Sequence, residues 1–227
     1  MAGLQLSTGN SRFGAEVAIE LLNQMGYNTA QANPTQSYLR SEMALSTTTQ
    51  NYYVPILTND TTNGATAYVS EKRLNLQDVF VPLEFGLFVA APANATAPAN
   101  ILYTYPNTSI FTGGSAAALQ TLWSGNMTII NNNIQVVPAW DLWRHYKAPA
   151  TQQAANAGYT SSGVNLVDSF NGSVDGFYPV APSFVLSGAN KFNINLNLPA
   201  AISSVLSNSR IVTIFRGILL QNVTSVR

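Results

Sequence analysis

The sequence predicts a mainly β protein: a jelly roll or β-sandwich of about eight antiparallel strands, with one N-terminal helix and one short inserted helix. Three observations carry that expectation. Phe192, Ile194, Leu196 and Leu198 alternate with Asn193, Asn195 and Asn197, the period of two that gives a strand one buried face. Val79 to Ala90 is long and apolar, as suits a strand in the middle of a sandwich. Strand-like segments recur at roughly ten-residue spacing between turn residues, a rhythm of sandwiches rather than of alternating strand and helix. A small double barrel is the alternative, and a tight one at this length.

The elements follow in order. Residues 1 to 12 are small and polar and read as an arm. From Phe13 to Met25, the residues Phe13, Val17, Leu21 and Met25 stand four apart on one helical face, with Ile19 and Leu22 widening it and Gly26 as the stop. Residues 27 to 36 read as a linker, so the chain divides into an N-terminal arm with an amphipathic helix (1–37) and one β domain (38–227). A helix this short is marginal alone in water, and the linker gives it reach to dock on a neighbouring copy. Strands are expected at Tyr38 to Leu45, at Tyr52 to Leu57 with Pro55 marking an edge or bulge, at Val79 to Ala90, and at Ile101 to Tyr105 before Pro106-Asn107. Ser115 to Trp123 reads as a helix with Ser115 as its N-cap and Gly125 past its end. Met127 to Ile130 and Ile134 to Val137 flank an Asn131-Asn132-Asn133 turn, and Trp140 to Tyr146 fits either a strand or a helical turn. Residues 149–163 read as a wrapping loop. The final strands are Phe192 to Leu198 and Arg210 to Val223, the latter bent or bulged at Gly217.

Composition restricts the function classes. Only 9% of the 227 residues are charged, ten acidic against ten basic, and none falls between Glu84 and Asp141. Globular chains usually carry about a quarter. Such a surface is either covered by amides and hydroxyls or hidden in contacts with neighbours. The Lys and Arg residues are too scattered to neutralise phosphates, which argues against direct nucleic-acid binding. No membrane span is expected, because Pro, Asn and Gly break every apolar run before about 18 residues accumulate. The chain has no cysteine, and Glu16 and Glu20 stand where the apolar core of a secretory signal would lie, so no signal peptide is expected.

Motifs that would carry chemistry are weak. The single histidine lies in Trp140-Asp141-Leu142-Trp143-Arg144-His145-Tyr146. Asp141 or Asp168 could orient His145 as a base for a serine, but no serine stands in a nucleophile-elbow context. The preferred reading is structural, with Asp141 and Arg144 tying loops together under a cover of Trp140 and Trp143. Tyr103, Tyr105, Trp123, Trp140, Trp143 and Tyr146 could form a platform for stacking sugars, or could be core. Gly113-Gly114-Ser115 lacks the lysine and spacing of a phosphate loop and reads as a helix start. Asp168, Gly172, Asp175 and Gly176 match a calcium loop by residue type only. No catalytic residue, cofactor or metal site is therefore expected, and the chain is not expected to be an enzyme.

The segments YLRSEMALSTTTQNYYVPIL, EKRLNLQDVFVPLEFGLFV, TYPNTSIF, LWSGNMTI and WDLWRHYKAPATQ, in that order from Tyr38 onward, resemble virion structural proteins of Bacteroidetes-infecting, crAss-like bacteriophages. The resemblance implies a capsid, spike or cement component that works by assembly, carries no catalytic residues, and is made in the host cytoplasm for the virion. Its partners would be itself, as a trimer or larger homo-oligomer, and other virion proteins. A β-sandwich module binding glycans or a host surface is the alternative.

Overall fold

The computed structural model describes residues 11–29, 32–56, 68–112, 114–147, 176–181, 183–221 and 223–225, with the side chains of 11–15, 55, 56, 224 and 225 left outside the description. In chain order the elements are α1 (Ser11–Gln24), β1 (Tyr27–Asn28), β2 (Asn33–Ala44), β3 (Asn51–Ile56), β4 (Val79–Ala90), α2 (Ser115–Trp123), β5 (Asn126–Asn131), β6 (Ile134–Asp141), a 3-10 turn (Leu142–His145), β7 (Phe177–Pro179), β8 (Leu186–Ser187), β9 (Phe192–Asn197), β10 (Arg210–Gln221) and β11 (Thr224–Ser225). The mainly β expectation holds.

One sheet runs β2-β10-β4-β7, with β8 on the same edge of β4, and the second runs β3-β9-β5-β6. All the pairings are antiparallel. Counting from β2, with β7 and β8 as one interrupted strand, the sheets read 1-8-3-6 and 2-7-4-5. That is the strand order of a jelly roll. Pro55 does mark an edge, since β3 ends the second sheet.

The core lies between the sheets. Leu39, Phe80, Phe85, Leu87, Ile211 and Phe215 from the first meet Tyr52, Val54, Met127, Ile129, Ile194 and Leu196 from the second. The second sheet buries this one face, and so β9 alternates. The first sheet is buried on both faces, which is why β4 and β10 read as nearly continuous apolar runs. At one end of its outer face lies α1, where Ala18 and Leu22 pack with Val79, Val81, Ile218 and Leu220. Toward the other, Ala99 and Leu102 join Phe88, Ala90, Val212 and Ile214.

Gly217 marks a bulge as expected: the β10–β4 register shifts between Arg216 and Gly217. A Cβ on Gly217 would lie 2.0 Å from the Val81 carbonyl oxygen, closer than any side chain can approach. The Asn-rich turn joins β5 to β6 with Asn132 at φ 45° and Asn133 at φ 77°, the left-handed pair that two-residue hairpins prefer.

Several expectations are corrected. Residues 27–36 are not a linker, because Tyr27 and Asn28 pair with Ser225 and Thr224, and β2 begins at Asn33. These partners lie at opposite ends of the sequence, beyond the reach of local pattern. Ile101 to Tyr105 is not a strand: only Tyr103 bridges β4, at Val89. Asn107 then turns the chain, accepting from the Ser109 amide through its side chain and from Phe111 through its carbonyl. Ser115 is not the cap of α2. Gly114 holds that position at φ 86°, while Ser115 is buried and its hydroxyl donates to the Thr112 carbonyl at 2.6 Å.

The helix α1 docks on its own β body. Within the anticipated stripe Val17 and Leu21 are half-buried and Met25 is exposed, while Ala18 and Leu22 are fully buried; the side chain of Phe13 lies outside the described residues. The buried stripe is rotated by one position, with the helix resting over β10 and β2. Leu22→Ala is accordingly expected to cost about 2 kcal/mol and to lower the melting temperature of the dilute protein. An unchanged melting temperature would show that α1 adds nothing to the β body.

Candidate functional site

The segment Trp140 to Tyr146 resolves into both of its alternatives: Trp140 and Asp141 end β6, and Leu142–His145 form the 3-10 turn. Asp141 starts that turn, its carboxylate accepting from the Trp143 amide at 3.0 Å. His145 is completely buried. The Trp140 indole donates to His145 Nε2 at 2.9 Å, and Nδ1 lies 2.9 Å from the Gly176 carbonyl. An indole N–H only donates and a carbonyl only accepts, so the ring is the neutral tautomer with its proton on Nδ1. The edge of Phe85 closes one side at 5.0 Å. Burial pushes the imidazole pKa down to about 4, with Arg144 adding to the fall and the Gly176 and Asp141 contributions opposing it.

Both nitrogens are thus engaged and sealed from solvent, and Asp141 does not orient the ring. The couple with Asp141 that a hydrolase would need is not formed, and Asp168 lies outside the described residues. The structural reading fits instead. Arg144 lies 5.1 Å from the Trp140 ring and 5.0 Å from that of Tyr178, tying the 3-10 turn to β7. Lys147 donates through its backbone to Thr104, and Gly176 lies close against the same residue.

The aromatic platform does not form. Trp123 and Trp140 are buried in the core, Tyr103 packs edge-on against Phe111, and Trp123 against Tyr146. Only Trp143 of that group is exposed. Of the calcium-loop residues only Gly176 is described, and it supplies its carbonyl to His145.

Two features escaped the sequence reading. The first is a charged cluster on the outer face of the first sheet. Arg210, with 2% of its side chain exposed, reaches the fully buried Glu42 carboxylate at 3.0 Å. Arg40 binds the other oxygen of that carboxylate at 2.8 Å, and Ser70 donates to it as well. Arg210 also donates to the carbonyls of Asn94 and Ala95 and covers the ring of Tyr68 at 3.9 Å. Glu71 accepts from the amides of Glu42 and Tyr68, with Arg73 3.7 Å away. The cluster fastens the segments around residues 70 and 95 to the sheet. Beyond it, Gln36, Tyr38, Arg40, Phe177, Ile214 and Arg216 line an open furrow of about 440 Å³, in which Arg216 faces Glu84 at 3.9 Å.

The second feature is the outer face of the second sheet. Pairing aligns Asn51, Asn197 and Asn126 in one row and Tyr53, Asn195 and Thr128 in the next, with Asn193 beside Ile130 in a third. Tyr53 is 63% exposed. The register places Asp141 opposite Asn126 at one corner of this face, and the exposed Lys191, whose backbone bonds to Asn132, precedes Asn193 at the opposite end. The alternation of Asn with apolar residues in β9 was the available signal. It was read for its buried side alone.

Among the described residues no helix is long and apolar enough to cross a membrane. Neither a known protein family, nor a curated protein, nor a solved structure matches this chain.

Proposed function

We propose that the chain is a non-enzymatic structural subunit of a virion, made in the host cytoplasm and working by self-assembly into trimers or larger shells together with other virion proteins. The carrying observation is where the few charges go. Seven of the twenty charged residues pair within the chain, Arg40, Glu42, Glu71, Arg73 and Arg210 in one cluster and Glu84 with Arg216, and the charges of the whole sequence sum to zero. Large apolar side chains meanwhile stay exposed on separate elements, among them Val69 at 79%, Ile101 at 68% and Ile134 at 69%. A lone subunit has no net charge to hold it apart from its copies, and the exposed apolar side chains on separate elements are the contacts we assign to its neighbours. The jelly-roll strand order and the resemblance to phage virion proteins support the same reading.

Sedimentation of the full chain at tens of micromolar, with negative-stain microscopy of the same sample, tests it. The expected result is a discrete trimer or larger closed particle burying well over about 2,000 Å² per obligate contact. A single species of one chain's mass at every concentration would overturn the proposal.

A further inference from the structure

The outer face of the second sheet offers a surface unlike any other on the molecule. Asn51, Asn126 and Asn193 are exposed around Tyr53. The Asn197 amide donates to Asn126 Oδ1 at 3.3 Å, whereas Asn195 Oδ1, in the central row, is itself buried without a partner among the described residues, so the exposed amides are those of the outer rows. Cross-strand pairing fixes the positions of these groups, with strands about 4.8 Å apart and rows on one face about 6.8 Å apart.

We propose that this face binds a neutral polyhydroxylated chain, an oligosaccharide without carboxylate or sulfate groups. Each side-chain amide carries two donors and an acceptor on one short arm. Hydroxyl groups are likewise donors and acceptors, so an array of amides satisfies them in either sense. The Tyr53 ring supplies a rigid apolar plane, with its own hydroxyl at the rim, against which the C–H face of a sugar ring stacks. The amide array itself carries no charge, and Asp141 and Lys191 stand at its opposite ends, so a charged ligand gains at one end what it loses at the other. A second copy of the chain is a poorer occupant. Four strands of about six residues span a face of roughly 400 Å², about half of what one partner contributes to a standard interface. The site stands independently of assembly, because it uses none of the apolar anchors Val69, Ile101 or Ile134.

The test is an array of neutral, sialylated and sulfated glycans probed with the full chain, followed by calorimetric titration of the strongest neutral ligand. The expected result is binding confined to neutral glycans. Tyr53→Ala should weaken it at least tenfold at an unchanged melting temperature, Tyr53→Phe should retain it, and Trp143→Ala, in the turn beyond β6, should leave it unaffected. Asn51→Ala, at an exposed position in the same strand, replaces Tyr53→Ala should that variant fail to fold, with the same loss expected. Absence of any neutral ligand, binding of acidic glycans alone, or full binding by Tyr53→Ala would overturn the proposal. So would self-association that Tyr53→Ala abolishes in a protein binding no glycan, which would assign the face to a second copy.

Discussion

Arg210→Met is expected to destabilise the protein by about 3 kcal/mol, the lower end of what breaking a buried ion pair costs. The pair is almost sealed from water, with 2% of the Arg210 side chain and none of the Glu42 side chain exposed. Methionine fills much of the arginine's volume, so the loss is one of charge rather than packing. Arg40 and Ser70 still face Glu42, which keeps the cost from reaching the upper end. The Ala95 carbonyl loses its Arg210 donor at the same time, while that of Asn94 keeps the Ala97 amide. A urea midpoint measures the total. The pairing itself appears in a double-mutant cycle with Glu42→Gln, where a coupling of about 1 to 3 kcal/mol is expected. Amide exchange at Ala99, which donates to Ser70, should quicken with the single substitution, because the loop loses its tether. A change below about 1 kcal/mol, or costs that merely add in the cycle, would show that the cluster is ornamental to the fold.

Acid should weaken the protein through His145. The folded ring holds a pKa of about 4 against an ordinary 6.5, so between those values the unfolded chain takes up a proton that the folded one refuses. The contribution is complete above pH 6.5, shrinks as pH falls, and is gone below about pH 4. At one pKa unit per 1.36 kcal/mol it amounts to about 3 kcal/mol. The refusal has a structural cause: a proton on Nε2 would face the Trp140 N–H, donor against donor, in a pocket closed to water. Burial raises the pKa of Glu71 and of Glu84 above the usual carboxylate value, with neighbouring charges and amides opposing it. Their contribution runs the other way, stabilising the fold as they protonate in acid, and it is common to the natural protein and to His145→Gln, so the imidazole is read from the difference between the two from pH 4 to 6.5. Melting temperatures across that window should fall with pH in the natural protein and flatten in His145→Gln. Equal slopes in the two proteins would refute the assignment.

The sheet strands were legible wherever one segment stated its own environment. The alternation of β9, the unbroken apolar run of β4 and the position of Gly217 each record what surrounds that strand, and each matched. Pairings between distant segments left no such mark. Nothing in Tyr27-Asn28 announces Thr224-Ser225, and nothing in a scattering of single charges announces that Arg40, Glu42 and Arg210 meet; adjacent strands bring them together by register. The partners of the histidine are an indole and a backbone carbonyl 31 residues away, groups that no titratable motif reveals. The aromatic residues misled because composition cannot tell a buried tryptophan from an exposed one, while the outward asparagines were passed over for carrying no charge.

The strand order also sets the tempo at which the chain can become itself. In the first sheet β10 lies between β2 and β4, and the hydrogen bond from Thr35 to Leu219 spans 184 residues. Neither long strand can find its central partner until residues 210–221 have been made. At about 5 to 20 residues per second, β4 waits on the order of ten seconds after synthesis with one whole edge unpaired. Its twelve residues are the most apolar strand in the molecule, and an open edge of that kind invites pairing with the nascent chain on the next ribosome. The lone Glu84, midway along β4, is the one charge set against that hazard until β10 arrives and brings Arg216 to meet it.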